Sequence, residues 1–170
     1  MAVRTLGASF AAGVGYELQR KNNFEFSVPG VADNDRLLTL SVISCALPTE
    51  TNDVITVNYG NTNVKVAGVF NTEGGNLTVR DFLQKDMEKA IDDWRSSVYN
   101  KDTDAIGFAA DYKKQARVVQ YAPDGTYERT WKLIGVWPSQ VSYGDLSNTD
   151  GNPKEIQITL QYDKAILQRS

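Results

Sequence analysis

A chain of 170 residues, 41% hydrophobic and 23% charged with a net charge of −3, has the composition of a folded globular protein, and at this length it buries roughly 70% of its unfolded surface around one core. The 18 Lys and Arg against 21 Asp and Glu leave no excess of cations for tight binding to a phosphate backbone. Histidine is absent, which excludes Ser-His-Asp and Cys-His nucleophiles, the HExxH helix and every His-ligated zinc site.

Residues 1–22 read as an extended arm. Arg4 followed by Leu6, Ala8 and Phe10 outlines a signal peptide, but Gly7, Gly13 and Gly15 make the stretch too rich in glycine for one. Both chain ends are expected to dock on something. No apolar run approaches the ~20 residues that span a bilayer, so no membrane insertion is expected. The first strand is Asn23–Val28, where Phe24, Phe26 and Val28 alternate with polar residues until Pro29-Gly30 ends it. Arg36–Ala46, rich in Leu and β-branched residues, reads as a strand buried on at least one side and closed by Leu47-Pro48. Within it Cys45, the one cysteine, permits no internal disulfide and reads as a small buried hydrophobe beside Val42 and Ala46.

Asp53–Tyr59 and Asn63–Ala67, joined across Gly60-Asn61, form a long β-hairpin over about 53–67. Ile55, Val57 and Tyr59 share a face of its first arm, and Val64 and Val66 a face of its second. Polar residues flank both arms, and Lys65 alone blunts the edges, where monomers use more charge and proline. Either the rest of the chain covers this hairpin or another copy does.

After a brief strand, Asn76–Arg80, the period changes. Leu83, Met87, Ala90, Ile91, Trp94 and Val98 make one apolar stripe at helical spacing. Asp81 with Gln84 resembles a capping box, so a helix is predicted over about 82–98, with Lys85, Glu88, Lys89, Asp92 and Arg95 on its solvated face. A loop over Asn100–Ala110 precedes three strands, Tyr112–Tyr121, Thr126–Ile134 and Glu155–Tyr162. Trp137-Pro138-Ser139 reads as a corner, because proline cannot donate to a ladder, with the chain extended again from Val141. Ile156, Ile158, Leu160 and Tyr162 alternate with polar residues, so one sheet face is dry.

Chemistry-bearing patterns are few. Gly13-Val14-Gly15 lacks the third glycine of a dinucleotide fingerprint, since Leu18 stands there. The acidic loop Asp145–Glu155 misses the EF-hand spacing. Asp92 and Asp93 are neighbours on a helix and point apart. No catalytic, cofactor or metal site is expected. The residues alone describe a mainly β (α+β) domain spanning 1–170 with one flanking helix.

Three segments, DYKKQARVVQYAPDG, GVWPSQVSYG and NPKEIQITLQYD, together with the order of parts upstream, resemble the tail tube proteins of contractile-tailed bacteriophages. The specific residues are Tyr112-Lys113-Lys114, Gln120-Tyr121, Trp137-Pro138 and Ala46-Leu47-Pro48. That resemblance implies an antiparallel β-sandwich or barrel with one flanking helix, acting as a structural subunit and not an enzyme. It implies hexameric rings stacked into a hollow tube in the virion tail, made in the host cytoplasm. A contractile sheath would surround the tube, baseplate and terminator proteins would close its ends, and DNA would pass through the lumen without specific binding. The candidate inter-subunit contacts are then Leu47, Pro48, Ile55, Val57, Tyr59, Val64, Val66 and Phe70. Two alternatives stay open: the inner tube of a phage-derived contractile injection system, and a small β-barrel that binds a ligand.

Overall fold

A computed structural model describes residues 19–31 and 35–169. The N-terminal arm expected over 1–22 lies outside the described residues up to residue 18, as do Gly13–Gly15 and any docking of the N-terminal end, whereas near the C-terminal end Lys164–Arg169 pair as a strand with Arg129–Ile134. In chain order the elements are β1 (Phe24–Ser27), α1 (Asp35–Ser41), β2 (Val42–Cys45), β3 (Thr49–Tyr59), β4 (Thr62–Glu73), β5 (Gly75–Arg80) and α2 (Met87–Val98). The short strands β6 (Tyr99–Asn100) and β7 (Ala105–Ile106) and the one-turn helix α3 (Ala109–Tyr112) follow. The chain continues through β8 (Lys114–Tyr121), β9 (Tyr127–Ser142), β10 (Glu155–Gln161) and β11 (Lys164–Arg169).

Strand β9 is shared between two halves of one antiparallel sheet system. Its first half pairs with β8 on one side and β11 on the other, while Trp137–Ser142 pairs with β10. The strands therefore run β1-β8-β9-β11 in one half and β9-β10-β5-β2 in the other. Their inward faces supply Phe26, Val118 and Leu133 from the first half and Leu77, Val79, Ile156, Ile158 and Leu160 from the second, all buried in one core. This is the mainly β fold with a flanking helix that the periodicities describe, and the dry and wet faces of β10 alternate as expected.

The bend that lets β9 serve both halves is at Gly135, at φ +73°, where an added Cβ would run into the Asp163 carboxylate. The expected corner at Pro138 is instead the interior of a continuous strand. Pro138 lies opposite Leu160 at a register shift, so its missing N–H falls where the ladder is already interrupted. The Ser139 hydroxyl donates to the Thr159 carbonyl at 3.0 Å across that interruption.

Two helical segments also differ from expectation. Arg36–Ala46 is not one strand: residues 35–41 are helical and only Val42–Cys45 is extended. Leu38 and Ser41 are buried one turn apart while Leu40 is exposed, which is helical spacing in a run too short to declare its period. Helix α2 begins at Met87, later than 82. Asp86 is its N-cap and accepts from the Lys89 N–H at 2.8 Å, while Asp81 accepts from the N–H groups of Phe82 and Met87 and holds the preceding turn. Leu83 accordingly stands outside the helix, fully exposed. Met87, Ile91 and Trp94 are the residues that clamp α2 to the sheet, a burial that contributes roughly 5 to 9 kcal/mol gross.

Candidate functional site

The β3–β4 hairpin stands away from the body. It is longer than the sequence suggests, running from Thr49 to Glu73 with Thr49 paired to Glu73 and Tyr59 to Thr62. Gly60 alone takes positive φ in the two-residue loop, the pattern of a type II′ turn, and the Thr62 hydroxyl donates to the Tyr59 carbonyl at 3.1 Å. Among the described residues the two arms pack extensively only against each other.

Register makes this hairpin amphipathic. Ile55 lies opposite Val66, Val57 opposite Val64 and Tyr59 opposite Thr62, so these side chains share one face. The other face carries Val54 and Ala67, Thr56 and Lys65, and Asn58 and Asn63. Lys65, the one cation on the arms near the tip, is therefore on the polar side and guards nothing apolar. Ile55, Val57, Tyr59, Val64 and Val66 are each between 38% and 65% exposed, so this face lies largely uncovered among the described residues. A register shift at Asn52/Val54 ends the regular stretch, with Phe70 opposite Asn52 beyond it. At the root Leu47 is exposed and Pro48 half-buried. The structure thus brings five of the eight candidate contacts onto one face, with Phe70, Leu47 and Pro48 nearer the base. Exposed Val54 and Val69 are apolar hairpin residues that the sequence reading passes over. Val54 is out of phase with Ile55 and Val57, and Val69 lies beside the interruption, where alternation fails.

The sheet margins are the second feature. Among the described residues β1, β2 and β11 each have a strand partner on one side only, leaving N–H and C=O groups free to pair. Between the β1 and β2 margins lies an apolar cleft of about 570 Å³, lined by Phe24, Ile43, Cys45, Leu47 and Val118. Cys45 is half-buried, and burial pushes its thiol up to about 12, so it behaves as part of the wall and not as a nucleophile.

Around α2 the polar groups pair with one another. Lys154 bridges Glu88 and lies 3.9 Å from Asp81, Lys101 lies 3.5 Å from Asp92, and the Tyr143 hydroxyl donates to Asp92 at 2.9 Å. The Lys154 and Tyr143 contacts tie the helix to the loop before β10, and the Lys101 contact ties it to the turn between β6 and β7. No group of three or more metal-ligating side chains occurs among the described residues, and no helix among them is long and apolar enough to cross a membrane.

A family model described as T4-like virus tail tube protein gp19 matches residues 20–165. The chain belongs to that family. The tail tube protein gp19 of Enterobacteria phage T4 is 28% identical over 167 residues, covering 95% of this chain and 99% of that protein; the same protein of Enterobacteria phage T6 is 27% identical over the same length. The fold is also that of the sheath/tube terminator of an extracellular contractile injection system, PVC, in its extended state. That match has a TM-score of 0.67 at 21% identity over 91% of this chain and 99% of that one. A chain of the PVC sheath–tube complex matches with a TM-score of 0.62 at 20% identity over 96% and 97%. The chain is thus a tail tube protein of a contractile-tailed phage and a component of the virion tail.

Proposed function

We propose that this tail tube protein acts as a purely structural subunit, with no enzymatic activity and no cofactor, in hexameric rings that stack into a hollow tube. The observation that carries this reading is the uncovered apolar face of the hairpin, together with three one-sided sheet margins. Each needs a partner, and copies of the same chain supply it by symmetry. Neighbouring sheets join margin to margin around the lumen. The hairpin, with Leu47, Pro48, Ile55, Val57, Tyr59, Val64, Val66 and Phe70, reaches the next subunit or the next ring. A contractile sheath surrounds the tube, and baseplate and terminator proteins bound its length.

Six copies at −3 each give a ring of about −18, and a like-charged wall lets DNA pass without adhering. Negative-stain microscopy of concentrated protein, alone and with baseplate seeds, tests the proposal: hollow tubes with six-fold rings are expected, and a protein that stays monomeric with seeds present refutes it. The fold likeness to injection-system chains favours one second reading, an inner tube that delivers protein cargo. Virions containing packaged DNA select the phage reading, and particles without DNA select the other.

A further inference from the structure

We propose that Asp150-Gly151, in the segment between β9 and β10, is a site of self-modification, where Asp150 converts to isoaspartate through a cyclic imide formed with its own main chain. The sequence holds two Asp-Gly pairs, Asp124-Gly125 and Asp150-Gly151, and no Asn-Gly pair. Glycine has no side chain to keep its amide nitrogen away from the carboxyl of the residue before it, so these two pairs are where the chain is most open to ring closure. Local sequence does not choose between them. The fold does.

Ring closure needs an amide nitrogen that is not already committed and a neutral carboxyl that can lose an oxygen as water. At Asp124-Gly125 both groups are engaged. The Gly125 N–H donates to the Ala122 carbonyl at 2.9 Å, closing the turn between β8 and β9 with Gly125 at φ +82°. Asp124 Oδ1 accepts from the Thr126 N–H at 3.0 Å and the Thr126 hydroxyl at 2.7 Å, and these bonds hold its carboxyl below the usual range, toward the unreactive anion. At Asp150-Gly151 only the carboxyl is held. Asp150 Oδ1 accepts from the Asn152 N–H at 3.0 Å, which folds the side chain along the peptide that follows it, while the Gly151 N–H has no acceptor among the described residues. Both residues are exposed and outside any helix or strand, and nothing stands within 4 Å of where a Gly151 Cβ would be. The main chain can therefore turn into the ring without breaking a ladder bond, and water reaches the product.

The reaction balances with water alone. The Gly151 nitrogen forms a bond to Cγ of the protonated Asp150 carboxyl, the Cγ–O bond breaks, and one water leaves carrying the amide proton. A second water then opens the ring. Entering at the side-chain carbonyl it restores aspartate; entering at the main-chain carbonyl it leaves the chain running through the former side chain, one carbon longer, with the α-carboxylate free. Charge is kept and geometry is not. The added carbon falls just ahead of Lys154, whose ammonium bridges Glu88 and whose carbonyl accepts from the Asp81 N–H at 3.2 Å, so the change is made beside the contacts that hold this loop to α2. A subunit in a released tail is not replaced, and the product accumulates with the age of the particle.

The test is peptide mapping of the whole purified chain held near neutral pH for several weeks, folded and in urea. Isoaspartate is read at each Asp-Gly pair by enzymatic methylation with labelled S-adenosylmethionine and by fragmentation that distinguishes the two linkages. In the folded chain, isoaspartate at position 150 is expected to exceed that at position 124 several-fold, whereas in urea the two pairs convert alike. Gly151→Ala is expected to remove most of the signal at position 150, and Asp150→Glu all of it. Equal conversion at the two pairs in the folded chain overturns the assignment, as does no conversion at position 150 over a time in which the urea-unfolded chain has reacted. A preference for position 150 that persists unchanged in urea also overturns it, because neighbouring residues and not the fold would then make the choice.

Discussion

Trp94 shows how one side chain joins several elements. Its indole is 4% exposed, its N–H donates to the Tyr112 carbonyl at 3.0 Å, and the Tyr112 and Trp137 rings meet in a T-shaped contact at 5.8 Å between centroids. Helix α2, the short α3 and the bent β9 are thus linked through Tyr112, whose carbonyl meets Trp94 and whose ring meets Trp137. Trp94→Ala is expected to cost about 3–5 kcal/mol in denaturant unfolding of the isolated subunit. Tyr143, Tyr162 and Cys45 set a different dependence. Burial is the leading cause in each case, with the hydrogen bond to Asp92 adding to it at Tyr143, and all three are pushed up to about 12 from ordinary values of 10 and 9. Folding favours their neutral forms, so the stabilisation is complete below about pH 9 and is lost as pH rises toward 12. Thermal unfolding across pH 7–12 is expected to be level up to pH 9 and to fall above it, less steeply in Tyr143→Phe. A stability that rises through that window contradicts the assignment.

At the scale of elements, two rival starts for α2 give opposite mutational outcomes. If Asp86 is the cap, Asp86→Ala costs about 1 kcal/mol and Gln84→Ala next to nothing; a capping box at Asp81 reverses the order. Chemical denaturation of the two variants decides. The β9 bend has a comparable test: Gly135→Ala places a Cβ at positive φ against the Asp163 carboxylate, and a loss of more than ~1 kcal/mol is expected. Asp163→Ala in the same background is expected to relieve part of it.

These same places divide what the chain states locally from what it does not. The α2 stripe, the alternation of β10 and the Gly60-Asn61 turn rest on neighbours in sequence, and all are legible there. Strand β11 and the continuity of β9 through Pro138 depend on partners more than twenty residues away, which alternation cannot report. The hairpin face is readable because its period holds from Ile55 to Tyr59; its outward stance is not, since standing away from the body is a relation between elements. The cleft was hidden for the same reason: Phe24, Ile43 and Val118 meet only once β1, β2 and β8 are in place.

For the molecule as a whole, the central claim is that its sheet margins and its hairpin are completed by other copies. A subunit with the ridge exposed and β1, β2 and β11 paired on one side only gains order where it gains neighbours. Backbone hydrogen–deuterium exchange, compared between dispersed subunits and assembled tubes, reads this directly. The account predicts fast exchange along Thr49–Glu73 and the outer amides of β1, β2 and β11 in the dispersed subunit, with strong protection of these segments on assembly and little change in the inner strands β8, β9 and β10. Margins and hairpin already protected in the lone subunit, or unchanged in the tube, would contradict it.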